Sequence, residues 1–203
     1  MPRVLVTAFE PFGPWETNSS WLTLEQLTSD LPASPQIVTR RYPVDFAALP
    51  ALLERDLREN FDAALFLGQA SGAAAISIEA IGLNVACEAG DSPDEARPLV
   101  EDGPVAYRTE APVEQWARGL RAAGIPARVS FHAGTYLCNA TLYMAHYLIE
   151  RLALRTPAVF IHLPLDLSQC VVSPQPHQAS IPVEISAAAV RWILAELADR
   201  PLL

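Results

Sequence analysis

This chain of 203 residues contains no lysine; all 14 of its basic residues are arginine. Chemistry that needs a lysine amine therefore loses its required residue, which removes Schiff-base catalysis, a Ser–Lys dyad and a P-loop phosphate site. Cysteine is scarce as well. Cys87, Cys138 and Cys170 are odd in number and far apart, with no Cys-x-x-Cys, so neither a disulfide framework nor a metal site is expected, and no cofactor is implied. Positive charge is outnumbered, with 23 acidic residues against 14 basic ones, which argues against nucleic acid or an anionic membrane surface as the main partner. Met1-Pro2-Arg3 leads at once into the apolar run Val4–Phe9, too short for a signal peptide's apolar region or a membrane span. The expectation is a cytoplasmic protein whose cysteines stay reduced.

What is present is enough apolar material for a full core, 51% of residues, and the length fits a single domain spanning 1–203. Val4–Phe9 reads as a buried strand, followed by a turn-rich loop and by a helix around Trp21–Leu27 with Asn18 or Ser19 as its N-cap. Ile37–Thr39 suggests a strand, Phe46–Arg58 a helix capped by Asp45, and Ala63–Gly68 a strand ending at glycine. Ala74–Val85 is another apolar run. Residues 85–112 are acidic and carry four prolines, and read as a long loop excursion, either a lid or a solvated connection. Val113–Ala123 reads as a helix closed by Gly124, Ala127–Phe131 and Ala158–Leu163 as strands, and about 182–197 as a final helix after a connector around Pro174 and Pro176. Alternating strands and helices imply an α/β sheet with helices on both faces.

One stretch stands out for chemistry. Leu137, Thr141, Leu142, Ala145, Leu148 and Leu152 recur at helical spacing, which sets Cys138 in a helix's first turn. Free N–H groups and the positive end of the helix dipole favour a thiolate there, so Cys138 is a candidate nucleophile, although a lone cysteine also packs readily as a small apolar group. A cysteine nucleophile needs a base. His146 is eight residues along the same helix, about 12 Å away at ~1.5 Å per residue, and too distant. His132 could come near and His177 has no positioning element beside it. His162 closes a predicted buried strand, and ligand sites in open α/β sheets gather at the carboxyl ends of strands. Glu79 is a charge inside an apolar strand; period-two alternation puts it with Ser77 on one face and Ile76 with Ile78 on the other. It either orients a base or faces water. Gly68-Gln69-Ala70-Ser71-Gly72 has the wrong register for a serine-hydrolase elbow.

With these residues the sequence resembles the pyrrolidone carboxyl peptidases, the pyroglutamyl-peptidase I family of cysteine peptidases. The likeness is carried by four blocks: Val6–Gly13 with Asn18; Gly68–Gly72 followed by Ile78-Glu79 through Asn84; Ala133-Gly134-Thr135-Tyr136-Leu137-Cys138-Asn139; and Phe160-Ile161-His162-Leu163-Pro164. The resemblance implies a three-layer α/β/α sandwich around a mixed, mostly parallel sheet. It also implies a triad in which Cys138 attacks, His162 serves as base and then acid, and Glu79 holds the imidazole, with an acyl-enzyme on the path. Peptides with an N-terminal pyroglutamate are the implied substrates, their ring held between Phe9 and Phe12; its amide edges need backbone partners or Gln69, and Tyr136 and Leu137 are expected at the substrate site as well. A homo-oligomer, commonly a tetramer, is implied too. Pro14 stands where many members have glycine, Ser19 where they have proline, and Ala89 where many bacterial members carry an arginine. The alternatives are an amidase acting on another small cyclic or acylated amine, and a binding homologue without turnover.

Overall fold

The computed structural model describes residues 1–88, 90–173 and 178–199. Six strands form its main sheet: β1 (Arg3–Phe9), β2 (Gln36–Tyr42), β3 (Ala63–Gln69), β4 (Ile76–Glu79), β7 (Ala127–Ser130) and β8 (Ala158–Leu163), in the order β2-β1-β3-β8-β4-β7. All neighbours run parallel except β4 and β8, which are antiparallel, so the sheet is mixed and mostly parallel, as expected. A separate two-stranded ribbon pairs β5 (Ile81–Leu83) with β6 (Ala106–Arg108).

Side-chain alternation along the strands sorts the core into two halves. Val4, Val6, Leu65, Leu67, Ile76, Ile78, Val159 and Ile161 face one way. There they meet α1 (Ser19–Thr28), α3 (Val113–Ala122) and α6 (Val183–Asp199). Leu5, Phe9, Phe66 and Phe160 face the other way, against α2 (Leu49–Leu57) and α4 (Leu137–Arg151). Helices thus cover both faces. None of the described helices is long and apolar enough to cross a membrane.

Several boundaries differ from the sequence expectation. The second helix begins at Leu49 and not at Phe46, with Pro50 in its first turn, where the missing N–H costs little; Asp45 instead closes a turn by accepting the Ala47 N–H at 2.7 Å. The run Ala74–Val85 is split into two strands that belong to different sheets. The excursion 85–112 is structured: a short 3-10 turn spans Pro93–Glu95, Ala86 and Arg97 form an antiparallel bridge, and β6 returns to pair with β5. The short helix α5 (Leu167–Val172) was not anticipated; Asp166 caps it, accepting the Ser168 N–H at 2.9 Å. Asn18 is the cap of α1 as expected. Ala89, Pro174, Pro176 and His177 lie outside the described residues.

Candidate active site

The chain's chemistry gathers where β3, β8 and β4 meet the start of α4. In the parallel β3–β8 pair, Gly68 is opposite His162. In the antiparallel β8–β4 pair, Phe160 is opposite Glu79 and His162 opposite Ser77. Glu79 is therefore the diagonal neighbour of His162 on the same face, a separation long side chains can close. The contact is made: His162 Nδ1 lies 2.8 Å from Glu79 Oε1. Glu79 is 2% exposed because helices cover both sheet faces, so it does not face water.

Cys138 is the second residue of α4, whose N-terminus has no side-chain cap, leaving first-turn N–H groups free. The sulfur lies above Gly68: a β-carbon built on that glycine would be 3.1 Å from Sγ and 2.5 Å from the Phe160 ring. From there the Cys138 sulfur is near enough to His162 to act on its titration. Nδ1 is taken by Glu79, so Nε2 is the ring atom left for the thiol. Burial alone would lower the His162 pKa, but the Cys138 sulfur and the Glu79 carboxylate outweigh it and push the pKa up to about 10. Phe160 lies against the imidazole with ring centroids 4.9 Å apart.

The other histidines are elsewhere. His146 is deep on α4, where burial pushes its pKa down to about 4, and His132 accepts the Gly134 N–H on Nδ1 at 3.1 Å in the loop before Cys138.

The residues expected around the substrate are not all alike in placement. Phe9 ends β1 on the same face as Cys138 and is 3% exposed, edge-on to Tyr42 and 6.4 Å from the Phe160 ring. Phe12 is half-buried in the loop after β1. Leu137 is buried in the α2–α4 core. Gln69, next to Gly68, has the opposite strand parity, and its side chain points toward α1 and α5. There Oε1 accepts the Ser19 N–H at 2.9 Å and a Gln169 Nε2–H at 2.7 Å, while its own Nε2 is buried without a partner. Ser19 uses a backbone N–H that proline would lack.

Tyr136 opens a feature that sequence reasoning missed. Its ring meets Phe46 edge-on at 5.3 Å, and both line a cavity of about 430 Å³ with Leu99 and Met144, rimmed by Asp45, Glu88 and Arg97. Burial, followed by Glu88, Cys138 and Asp45, pushes the Tyr136 hydroxyl pKa up, and because Tyr136 is the N-cap residue of α4 the cavity adjoins the start of that helix. The edge of an aromatic ring on a turn residue such as Phe46 leaves no periodic signal. Among the described residues no group of three or more His, Cys, Asp or Glu side chains could hold a metal ion.

The chain resembles known proteins over nearly its whole length. Residues 2–199 match the family model described as pyroglutamyl peptidase. The chain is 37% identical over 183 residues to the pyrrolidone-carboxylate peptidase of Thermococcus kodakarensis, covering 87% of this chain and 88% of that one. It is 37% identical over 180 residues to the Yersinia pestis protein of the same name, covering 86% and 83%. Among solved structures, the pyrrolidone carboxyl peptidase of Fervidobacterium islandicum superposes with a TM-score of 0.91 at 30% identity, covering 98% of this chain and 99% of that one. A mutant enzyme from Pyrococcus furiosus gives 0.87 at 31% identity, covering 99% and 100%. A cysteine at a helix start, backed by histidine and glutamate on neighbouring strands, thus occurs in a chain that belongs to the pyroglutamyl peptidase family of cysteine peptidases.

Proposed function

We propose that this chain removes an N-terminal pyroglutamyl residue from peptides through a Cys138–His162–Glu79 triad and an acyl-enzyme. The observation that carries the reading is the buried Glu79 carboxylate 2.8 Å from His162 Nδ1, with the Cys138 sulfur lying over Gly68, the strand partner of His162. The thiolate attacks the carbonyl carbon between the lactam ring and the next residue, and the oxyanion that forms is held by free N–H groups at the start of α4. His162 delivers its proton to the departing amine nitrogen as the C–N bond breaks, leaving a thioester on Cys138. Water then attacks that thioester, giving a proton to His162, and the proton returns to sulfur as pyroglutamate departs.

Glu79 keeps the imidazole in one orientation and stabilises its protonated form. Phe12, with the edge of Phe9, offers apolar surface to an uncharged ring. The Gln69 side chain is engaged on the other face, so the part of Gln69 available to the ring's amide edge is its main chain. Operation in the cytoplasm as a homo-oligomer, a tetramer by resemblance to the family, belongs to the same proposal; light scattering of the purified protein reports the assembly.

The test is hydrolysis of a pyroglutamyl amide with a fluorogenic leaving group, beside the proline and glutamate amides and beside Cys138→Ser. Release from the pyroglutamyl amide alone, lost in Cys138→Ser, is the expected result. Preference for another amide moves the assignment to a different amidase, and equal slow release by wild type and variant overturns it.

A further inference from the structure

Asn139, the residue after Cys138, is completely buried, and its whole amide is spent on one short stretch of main chain. Oδ1 accepts the Leu83 N–H at 2.8 Å, and Nδ2 donates to Leu83 O and to Val85 O, each at 2.9 Å. That stretch is the continuation of the strand that carries Glu79: β4 ends at Glu79, and after Ala80 the chain runs through β5 to Leu83. One side chain therefore ties the segment leaving Glu79 to the turn of helix presenting Cys138.

Two further contacts act in the same sense. A β-carbon on Gly82 would lie 2.7 Å from the Tyr143 nitrogen, so β5 rests directly on the backbone of α4. The Cys87 N–H donates to Thr135 O at 2.9 Å in the loop that enters the helix. Apolar packing of α4 against the sheet is non-directional and sets no position along the helix axis. Directional hydrogen bonds do. We infer that Asn139 is a positioning residue that sets Cys138 against His162 by clamping the start of α4 to the chain leaving Glu79.

The turnover readout rests on the proposed peptidase reaction, whereas alkylation of Cys138 by iodoacetamide does not, so the two ideas can fail separately. The experiment compares Asn139→Ala and Asn139→Asp with Tyr143→Phe, which removes another bond between α4 and the excursion, to Pro104 O at 2.8 Å. Asn139→Asp keeps the acceptor for Leu83 N–H but loses both donors. For each, kcat and KM on the pyroglutamyl amide, the melting temperature, and the alkylation rate at Cys138 by peptide mass spectrometry at neutral pH are measured.

Both Asn139 variants should lose about 10²-fold in kcat with KM within about threefold, because a displacement near 1 Å at reacting groups has that effect. Their Cys138 alkylation should slow, while Tyr143→Phe keeps kcat whatever its melting temperature. Should Asn139→Ala not fold, Leu83→Pro deletes the N–H that Oδ1 accepts and carries the same expectation. Turnover and alkylation within twofold of wild type in the Asn139 variants, or a kcat loss in Tyr143→Phe that tracks its melting temperature, overturns the inference. A wild type that is alkylated but does not turn over overturns the peptidase reading alone, and the alkylation rates then decide.

Discussion

Cys138 Sγ sits so close above Gly68 that a β-carbon on the glycine would lie 3.1 Å from the sulfur. The same β-carbon would lie 2.5 Å from the Phe160 ring, which itself backs the imidazole of His162. Gly68→Ala therefore has to move the thiol, the ring or both. Overpacking of this kind costs about 1–3 kcal/mol in stability. The larger effect is expected on turnover, about 10²-fold in kcat with little change in KM, since the thiol shifts relative to His162 while the loop carrying Phe12 is untouched. Steady-state kinetics and a melting curve on the one variant check both parts, and unchanged kcat would show that the sulfur has freedom the geometry denies it.

Glu79→Gln keeps the shape of the side chain and removes its charge. The His162 pKa, raised to about 10 by Cys138 and Glu79 against the effect of burial, loses one of its two supports. A raised pKa contributes stability that is complete below the ordinary histidine value of 6.5 and is lost as pH climbs through the native value near 10. In the variant that loss begins at lower pH. The alkaline limb of kcat/KM, where in the proposed reaction His162 loses the proton meant for the leaving amine, should move the same way. Loss of the orienting charge should also lower kcat by on the order of 10²-fold. A pH profile with an unmoved alkaline limb would detach Glu79 from the imidazole's titration.

Much of this site is written in local pattern, and the remainder is not. Cys138 at a helix start follows from the spacing of Leu137, Thr141, Leu142, Ala145 and Leu148. Glu79 stands out as a charge in an apolar strand, but local pattern leaves its partner open, because the β4–β8 pairing joins segments 83 residues apart; His162 is named for it only by the family resemblance. Strand parity could have separated Gly68 from Gln69: consecutive residues face opposite ways, and with Gly68 under the thiol the Gln69 side chain must face α1. The order within 85–112 was hidden for a different reason. It depends on side-chain to main-chain bonds, such as Asn84 Oδ1 accepting Leu99 N–H at 2.8 Å and its Nδ2 donating to Val100 O at 2.7 Å, and these leave no periodicity to read.

Away from the site, Asp56 is a fully buried carboxylate that accepts from Tyr42 OH at 2.8 Å, Arg55 Nε at 2.8 Å and Arg40 Nε at 3.3 Å. Burial would raise its pKa, but the Arg55 and Tyr42 hydrogen bonds and the nearby guanidinium charges hold it below the ordinary carboxylate value. A depressed pKa contributes stability above 3.8 that is lost as pH falls through the native value. Asp56→Asn should therefore be less stable at neutral pH, and the gap to wild type should close in acid. With Arg55 60% and Arg40 30% exposed, solvent screening keeps the loss to about 3 kcal/mol or less. Urea midpoints across pH measure it; a gap constant with pH would mean the carboxylate charge contributes nothing.

Phe9 and Phe12, three residues apart, should separate stability from binding. Phe9 is 3% exposed, in the core with Tyr42 and Phe160, so Phe9→Ala removes a buried ring and should cost about 3–5 kcal/mol. Phe12 is half-buried in a loop beyond the strand, where truncation costs about 1 kcal/mol or less. If its ring faces the lactam, however, the substrate loses an aromatic contact present in both ground and transition states. Such a loss raises KM and leaves kcat alone. A contact of this kind, up to about 1.5 kcal/mol, corresponds to a KM increase of about fivefold to tenfold for the pyroglutamyl amide. Phe12→Leu, which keeps apolar volume without the flat face, should fall between. Were Phe12→Ala to lose stability like Phe9→Ala while its KM stayed at the wild-type value, Phe12 would be a packing residue and the ring would have to be held by Tyr136 and the wall around it.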